Sequence, residues 1–195
     1  MSSLLLNRNP EWCTLIDVLR WRAIHQPDKR AYTFLPDGER EICLTYGMLE
    51  QRARAIAMQL QTSCSPGDRA LLLYPSGLEF ITAFFGCLYA GAIAVPAYPP
   101  RRNQNLNRLQ SIVTDAQATV ALTTQELLDN DITIHLGQDP TLAQLKWFAT
   151  DIITAMDATT NAISWEPPTL TEETLAFLQY TSGSTGNPKG VIPIS

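Results

Sequence analysis

Residues 70–100 read ALLLYPSGLEFITAFFGCLYAGAIAVPAYPP, and this stretch decides the fold. Ala70 to Tyr74 is apolar without alternation, the pattern of a strand buried on both faces. Pro75-Ser76-Gly77 punctuates the chain, and Leu78, Ile81, Phe84, Phe85 and Leu88 then share one side of a helix. A second strand follows at Ala92 to Val95. From Phe80 to Pro100 there is no charged residue, a length that can span a bilayer. Three features oppose that reading. Gly86 and Gly91 interrupt the run, Pro96, Pro99 and Pro100 end it, and its character changes midway from helix-like to strand-like. A buried helix feeding a buried strand accounts for all three, so no membrane span is expected.

On the N-terminal side, Thr14 with Asp17 three residues on makes a capping-box pattern. The helix it opens carries Leu15, Val18, Leu19 and Arg22 on one face and must stop before Pro27. Extended pieces at Arg30–Leu35 and Glu41–Thr45 flank a Pro-Asp-Gly turn at 36–38. A second helix fits Tyr46–Gln61, with an apolar stripe of Leu49, Ala53, Ile56, Ala57 and Leu60 and with Glu50, Arg52 and Arg54 facing away. Ser65-Pro66-Gly67-Asp68 breaks the chain before the first buried strand. On the C-terminal side a helix fits Asn105–Ala116 and a strand Thr119–Leu122. Residues 123–168 are the hardest to read: one helix, one strand around Leu145 to Phe148, and a connector at Glu166-Pro167-Pro168. The order strand, helix, strand, helix, strand predicts an α/β fold, a layered, mostly parallel, doubly wound sheet flanked by helices.

The chain has 195 residues and a formal net charge of -5, which is sized for one domain and argues against a nucleic-acid partner. Cys13, Cys43, Cys64 and Cys87 form no CxxC, and neither His25 nor His135 stands at ligand spacing from them, so reduced thiols in a cytoplasmic protein are expected. The start, MSSLLLNRNPEW, holds an apolar triplet too short for a secretory leader. His25 reads as a solvated helix-end histidine. Arg101-Arg102 reads as a solvated pair, with steering of an acyl carboxylate or carrier protein as the functional alternative. Phe80, Phe84, Phe85 and Tyr89 read as core, with the wall of an acyl tunnel as the alternative.

The chemistry lies near the C-terminus, in LAFLQYTSGSTGNPKGVIPIS (175–195). Leu175–Tyr180 reads as a strand, Thr181–Lys189 as a loop of hydroxyls and glycines, and Gly190–Ile194 as a returning strand. Gly183 and Gly186 allow close backbone approach to a ligand, and successive N–H groups in such a loop form an anion nest. Thr181, Ser182, Ser184 and Thr185 add hydroxyl donors, Lys189 adds a mobile positive charge, and Pro188 restrains it. A polyphosphate is the ligand these donors suit. The usual P-loop is disfavoured, because Lys189 is followed by Gly190 rather than Ser or Thr.

Residues Tyr180 to Gly190, YTSGSTGNPKG, resemble the phosphate-binding loop of the adenylate-forming superfamily, which includes acyl-CoA synthetases, luciferases, amino-acid adenylation domains and fatty acyl-AMP ligases. ALLLYPSGLEF (70–80), FFGCLYAGAIAVPAYPPR (84–101) and Leu178-Gln179-Tyr180 are similar to fatty acyl-AMP ligases in particular. The likeness runs from about Thr14 to Ser195 and is weakest between Asp129 and Asn161. It implies that residues 1–195 are the N-terminal part of the large AMP-binding domain of such an enzyme. It implies ATP and Mg²⁺ as cofactors, with the β- and γ-phosphates held by Thr181, Ser182, Gly183, Ser184, Thr185, Gly186 and Lys189. The implied reaction activates a fatty acid to its acyl-adenylate, with an acyl carrier protein or polyketide synthase as acceptor. No catalytic acid, base or nucleophile and no metal ligand can be assigned, since the acid substrate is itself the nucleophile. An acyl-CoA synthetase or amino-acid adenylation fragment is the alternative within the superfamily. A non-catalytic, partner-binding half of a split enzyme is the alternative outside it. By the same resemblance the chain is incomplete and is expected to lack full activity on its own.

Overall fold

The computed structural model describes residues 14–99, 106–129, 139–153, 165–171, 173–181 and 189–191. Helix α1 (Leu15–His25) opens as the capping box requires: the Asp17 amide donates to Thr14 Oγ1 at 3.2 Å and the Thr14 amide donates to Asp17 Oδ2 at 3.0 Å. Its buried face differs from the one expected. Ile16 and Leu19 go inward and Leu15 is exposed, because the helix lies over α2 by a narrow stripe. Strands β1 (Arg30–Phe34) and β2 (Ile42–Thr45) form an antiparallel hairpin. Asp37 closes its turn by accepting from the Glu39 and Arg40 amides, and these bonds hold its carboxyl below the usual carboxylate range.

Helix α2 (Tyr46–Gln61) buries all five residues of its expected stripe. Glu50 and Arg54 pair across one turn, but Glu50 does not face away as expected: its side chain is only 12% exposed, covered where Arg54 lies over the Trp165 ring. Strand β3 (Arg69–Leu73) feeds α3 (Leu78–Ala90), then β4 (Ile93–Ala97), α4 (Asn107–Ala116), β5 (Val120–Thr123), the short α5 (Gln125–Asp129) and β6 (Lys146–Ala149). These strands form one parallel sheet in the order β4-β3-β5-β6. Alternation along each strand sorts the core into two layers. Ala70, Leu72, Ala94, Val120 and Leu122 face the cluster shared with α1, α2 and α3. Leu71, Leu73, Val95 and Ala121 face the cluster that holds Leu109, Ile112, Val113 and Ala116 of α4. Helices thus cover both faces, and the sheet is doubly wound as expected.

The charge-free run resolves into α3 and β4, and no helix among the described residues is long and apolar enough to cross a membrane. The large-residue side expected of α3 is only part of its inner face: Leu78 and Leu88 are buried as expected. Thr82, Ala83, Gly86, Cys87 and Tyr89 are fully buried, while Ile81, Phe84 and Phe85 are half-buried. Small residues on α3 let α2 approach closely. Gly91 ends α3 in the left-handed region at φ 75°, a conformation glycine takes without strain.

The C-cap of α4 breaks that rule. Gln117 is left-handed, with φ 53° and ψ 44°. Because a side chain costs roughly 1–2 kcal/mol there and glycine costs more to order, Gln117→Gly is expected to stabilise the chain by about 0.5–1 kcal/mol. A higher urea midpoint at unchanged m-value would register it; an unchanged or lower midpoint would refute it.

The stretch around Glu166-Pro167-Pro168 is docked rather than loose. Trp165 Nε1 donates to the Tyr89 carbonyl at 2.9 Å, and its ring lies 5.4 Å from the Arg20 guanidinium and 5.6 Å from that of Arg54. Gln61 Nε2 donates to the Glu166 carbonyl at 2.7 Å.

Candidate phosphate-binding site

Beyond Trp165 the chain returns to the sheet beside β4. The Ala94 amide donates to the Ala176 carbonyl at 3.1 Å, and the Leu178 amide donates to the Ala94 carbonyl at 2.8 Å. Phe177 bridges Ala94 in parallel fashion. The predicted strand Leu175–Tyr180 therefore pairs with β4 only here, and the physical reason lies in Pro96. Ala94 directs its N–H away from β3, and the residue two further on has the same outward side. Pro96 has no N–H to offer there, so the pairing stops.

The freed chain becomes β7 (Gln179–Thr181), which pairs antiparallel with β8 (Lys189–Val191) in a separate two-stranded sheet. Since residues 176–178 run parallel to β4, β7 emerges beyond the carboxyl end of the parallel sheet, the end at which doubly wound folds bind ligands. In the register Tyr180 opposes Gly190 and Thr181 opposes Lys189. Thr181 and Lys189 are thus strand ends rather than loop residues. They face one another across the mouth of the segment they enclose.

Ser182, Gly183, Ser184, Thr185, Gly186 and Pro188 lie outside the described residues, as do Ile192–Ile194 of the expected return strand. Arg101, Arg102, His135 and Cys13 also lie outside them. Of the predicted phosphate contacts, the structure places Thr181, exposed, and the backbone of Lys189, and it brings these two into register.

One feature of this site was not read from the sequence. Tyr180 is buried among the α4-side cluster, and its hydroxyl donates to Asp115 Oδ2 on α4 at 2.6 Å. Burial, and after it the bond to Asp115, push the Tyr180 phenol well above its ordinary range, so it stays a donor through neutral pH. Pattern alone marks position 180 as apolar. The partner on α4 is distant in sequence and has no local signature.

A second unforeseen network bridges the carboxyl ends of β3, β5 and β6. Thr123 Oγ1 donates to the Leu73 carbonyl at 2.8 Å, and the Tyr74 and Thr150 hydroxyls bond at 2.6 Å. These buried groups tie the carboxyl ends of β3, β5 and β6 together.

The remaining candidates take their plainer roles. His25 is exposed, stacks on Trp21 with centroids 4.5 Å apart, and donates from Nδ1 to the Trp21 carbonyl at 2.8 Å. Phe80, Phe84 and Phe85 pack on the core, with Phe84 edge-on to Phe177 at 5.6 Å, and Tyr89 is fully buried. Cys43, Cys64 and Cys87 are free thiols, and burial pushes those of Cys64 and Cys87 up. Among the described residues no group of three or more His, Cys, Asp or Glu is placed to hold a metal. An apolar groove lined by Leu15, Leu88, Leu170 and Leu175 includes Gly91 and Ala92 just before β4, which sets it at the opposite end of that strand from Thr181.

Comparison with known proteins places this architecture. Residues 19–193 match the family model described as AMP-binding enzyme. The chain is 46% identical over 189 residues to the medium-chain-fatty-acid–[acyl-carrier-protein] ligase JamA of Moorena producens, covering 94% of this chain and 31% of that protein. It is 37% identical over 178 residues to the long-chain-fatty-acid–AMP ligase FadD32 of Mycolicibacterium smegmatis, covering 89% of this chain and 28% of that protein. A crystal structure of the fatty acyl-adenylate ligase from L. pneumophila, in complex with acyl adenylate and pyrophosphate, superposes with a TM-score of 0.78 at 42% identity, over 92% of this chain and 30% of that one. The chain thus spans about a third of the length of the relatives it matches.

Proposed function

Because the chain belongs to the AMP-binding enzyme family, we propose that it supplies the phosphate-holding part of a fatty acyl-AMP ligase. In the proposed reaction a fatty-acid carboxylate oxygen attacks the α-phosphorus of ATP. The new acyl O–P bond forms as the bond from that phosphorus to the β-bridging oxygen breaks, and pyrophosphate leaves with the electron pair. A thiol carried by an acyl carrier protein then attacks the acyl carbon; the C–S bond forms as the acyl C–O bond breaks, AMP leaves with the electron pair, and the thiol proton goes to solvent. The observation that carries this reading is the 46% identity to a fatty-acid ligase over nearly the whole chain, supported by the pairing of Tyr180 with Gly190 and Thr181 with Lys189 in the β7–β8 ladder.

The chain's part in this reaction is positional and electrostatic. Thr181, Ser182, Ser184 and Thr185 offer hydroxyl donors, Gly183 and Gly186 let backbone N–H groups approach, and Lys189 brings a cation to the β- and γ-phosphates. These are donors to an anion, not ligands to a cation. The residues therefore fit the nucleotide's phosphates and do not themselves make an Mg²⁺ cage; Mg²⁺ would share the phosphate charge. Cytoplasm is the compartment proposed, since ATP and conditions that keep Cys43, Cys64 and Cys87 reduced occur there.

Two measurements test the reading. The chain should bind Mg-ATP and Mg-tripolyphosphate saturably and competitively in titration calorimetry, because the triphosphate is what this segment holds. Grafted in place of the matching segment of the Moorena ligase, it should retain pyrophosphate exchange that depends on a medium-chain fatty acid rather than on an amino acid. Failure to bind tripolyphosphate would sink the phosphate assignment. Exchange driven equally by amino acids would sink the fatty-acid assignment.

A further inference from the structure

We propose that Tyr180 and Asp115 are positioning residues that set the phosphate loop against the sheet. The inference rests on the phosphate reading of that loop. Three observations carry it. First, among the described residues the β7–β8 hairpin pairs only with itself, and the chain's backbone ladder to β4 has ended by Leu178. The orientation of the hairpin thus depends on what its side chains touch. Second, Tyr180 is the buried residue of β7, at 5% exposure, while Gln179 and Thr181 on either side are exposed. Its ring enters the cluster of Leu73, Val95, Ile112 and Val113, which joins the sheet to α4. Third, its hydroxyl reaches Asp115 at 2.6 Å, near the C-terminal end of α4.

An aromatic ring in a core fixes depth but leaves rotation about its own axis soft. A short charge-assisted bond at the ring's far end removes that freedom. Tyr180 precedes Thr181 in the chain, and its partner across the ladder, Gly190, follows Lys189. The anchor is therefore one peptide away from both ends of the phosphate loop, on the opposite face of β7 from the Thr181 side chain. Small misplacement of a loop that must meet several phosphate oxygens together costs affinity steeply.

Charge alone makes the opposite prediction, and this separates positioning from electrostatics. Asp115 is a negative group on the element that anchors an anion-binding loop. Removing it should tighten phosphate binding if only Coulomb attraction matters, and should weaken binding if the carboxylate holds Tyr180 in place. The experiment is titration of the 195-residue chain with Mg-tripolyphosphate, paired with hydrogen exchange at the β7 and β8 amides. Tyr180→Phe and Asp115→Ala should each weaken binding about tenfold, the scale of one hydrogen bond to a charged group. The double variant should fall no further than either single one. Asp115→Asn, whose amide oxygen still accepts the bond, should recover part of the loss. Exchange should quicken at β7 and β8 and stay unchanged in β3. As a control, Thr62→Ala loses a hydroxyl bond of 2.7 Å to the Gln59 carbonyl at the C-terminus of α2 and should leave binding unchanged. Binding unchanged in Tyr180→Phe, or tightened in Asp115→Ala, overturns the proposal; Asp115 is exposed, so its truncation leaves no cavity in the core. If the unaltered chain fails to bind tripolyphosphate, the phosphate reading falls first and the positioning role with it.

Discussion

Gly86→Val is expected to destabilise the chain more than any other single change argued here, by about 3 kcal/mol or more, as overpacking at a rigid contact does. A Cβ built on Gly86 would lie 2.6 Å from Ile56 Cγ2, 2.8 Å from Ile56 Cβ and 3.4 Å from the Ala53 carbonyl oxygen. The first two contacts are closer than carbon atoms pack. Ile56 is β-branched, held in a narrow rotamer range on α2, and only 2% exposed, so it has little room to yield. Gly86→Ala is milder. It gains about 1 kcal/mol of helix propensity against roughly 1–3 kcal/mol of overpacking, a small net loss. The test that isolates the contact is a double-mutant cycle. Ile56→Ala alone should cost about 2–5 kcal/mol through its cavity. In the Ile56→Ala background, Gly86→Ala should cost less than it does in the unaltered chain, because the Cγ2 clash has gone while the 2.8 Å approach to the Cβ of residue 56 remains. Strict additivity of the two changes in urea unfolding would show that α2 and α3 do not meet there.

That contact also marks where the sequence stops being legible. The apolar run 70–100 declares a buried strand, a buried helix and a second buried strand, and β3, α3 and β4 appear close to their expected bounds. Periodicity could not rank the faces of α3, because nearly every side is apolar and the choice is made by α2. Large residues draw the eye to Phe84 and Phe85, whereas the closest approach belongs to Gly86. The same limit applies to α1, where Leu15 and Ile16 are equally apolar and only the neighbour decides. Residues 123–168 were opaque because α5 is a single short turn and because β6 is four residues long. Local signals of that length do not stand above noise.

The site was legible in a different way. The loop's donors suit phosphate by residue type and spacing, and that is the ground of the function proposed for them. What the pattern did not hold was the loop's mounting. Pro96 reads as the end of an apolar run, and its missing N–H has a consequence only once residues 176–178 lie beside β4. Tyr180 reads as one more apolar strand residue until Asp115 is brought to it from α4. Both are tertiary facts about a local motif. They explain why the predicted six-residue strand from Leu175 splits into a bridge to β4 and a separate hairpin.

Lys189→Ala should give the largest loss of ligand binding of any change outside the glycines of the loop. The backbone of Lys189 pairs with Thr181 whatever its side chain, so the substitution leaves the β7–β8 ladder intact. What it removes is the loop's cation. Charge-assisted contacts to phosphate contribute about 1.5–3 kcal/mol each, so Mg-tripolyphosphate affinity should fall roughly 10–150-fold. The variant should also lose part of the salt dependence seen in the unaltered chain, since one screened charge pair has gone. Lys189→Arg keeps the charge but replaces a compact ammonium with a planar fork, so partial recovery is expected rather than full. In the grafted Moorena ligase the same change should depress pyrophosphate exchange, and saturating ATP should not restore it fully. That pattern belongs to a group that holds the leaving pyrophosphate as well as the bound nucleotide. An unchanged affinity with an unchanged salt slope would instead mean that Lys189 turns away from the phosphates, and that hydroxyls and backbone N–H groups hold them without it.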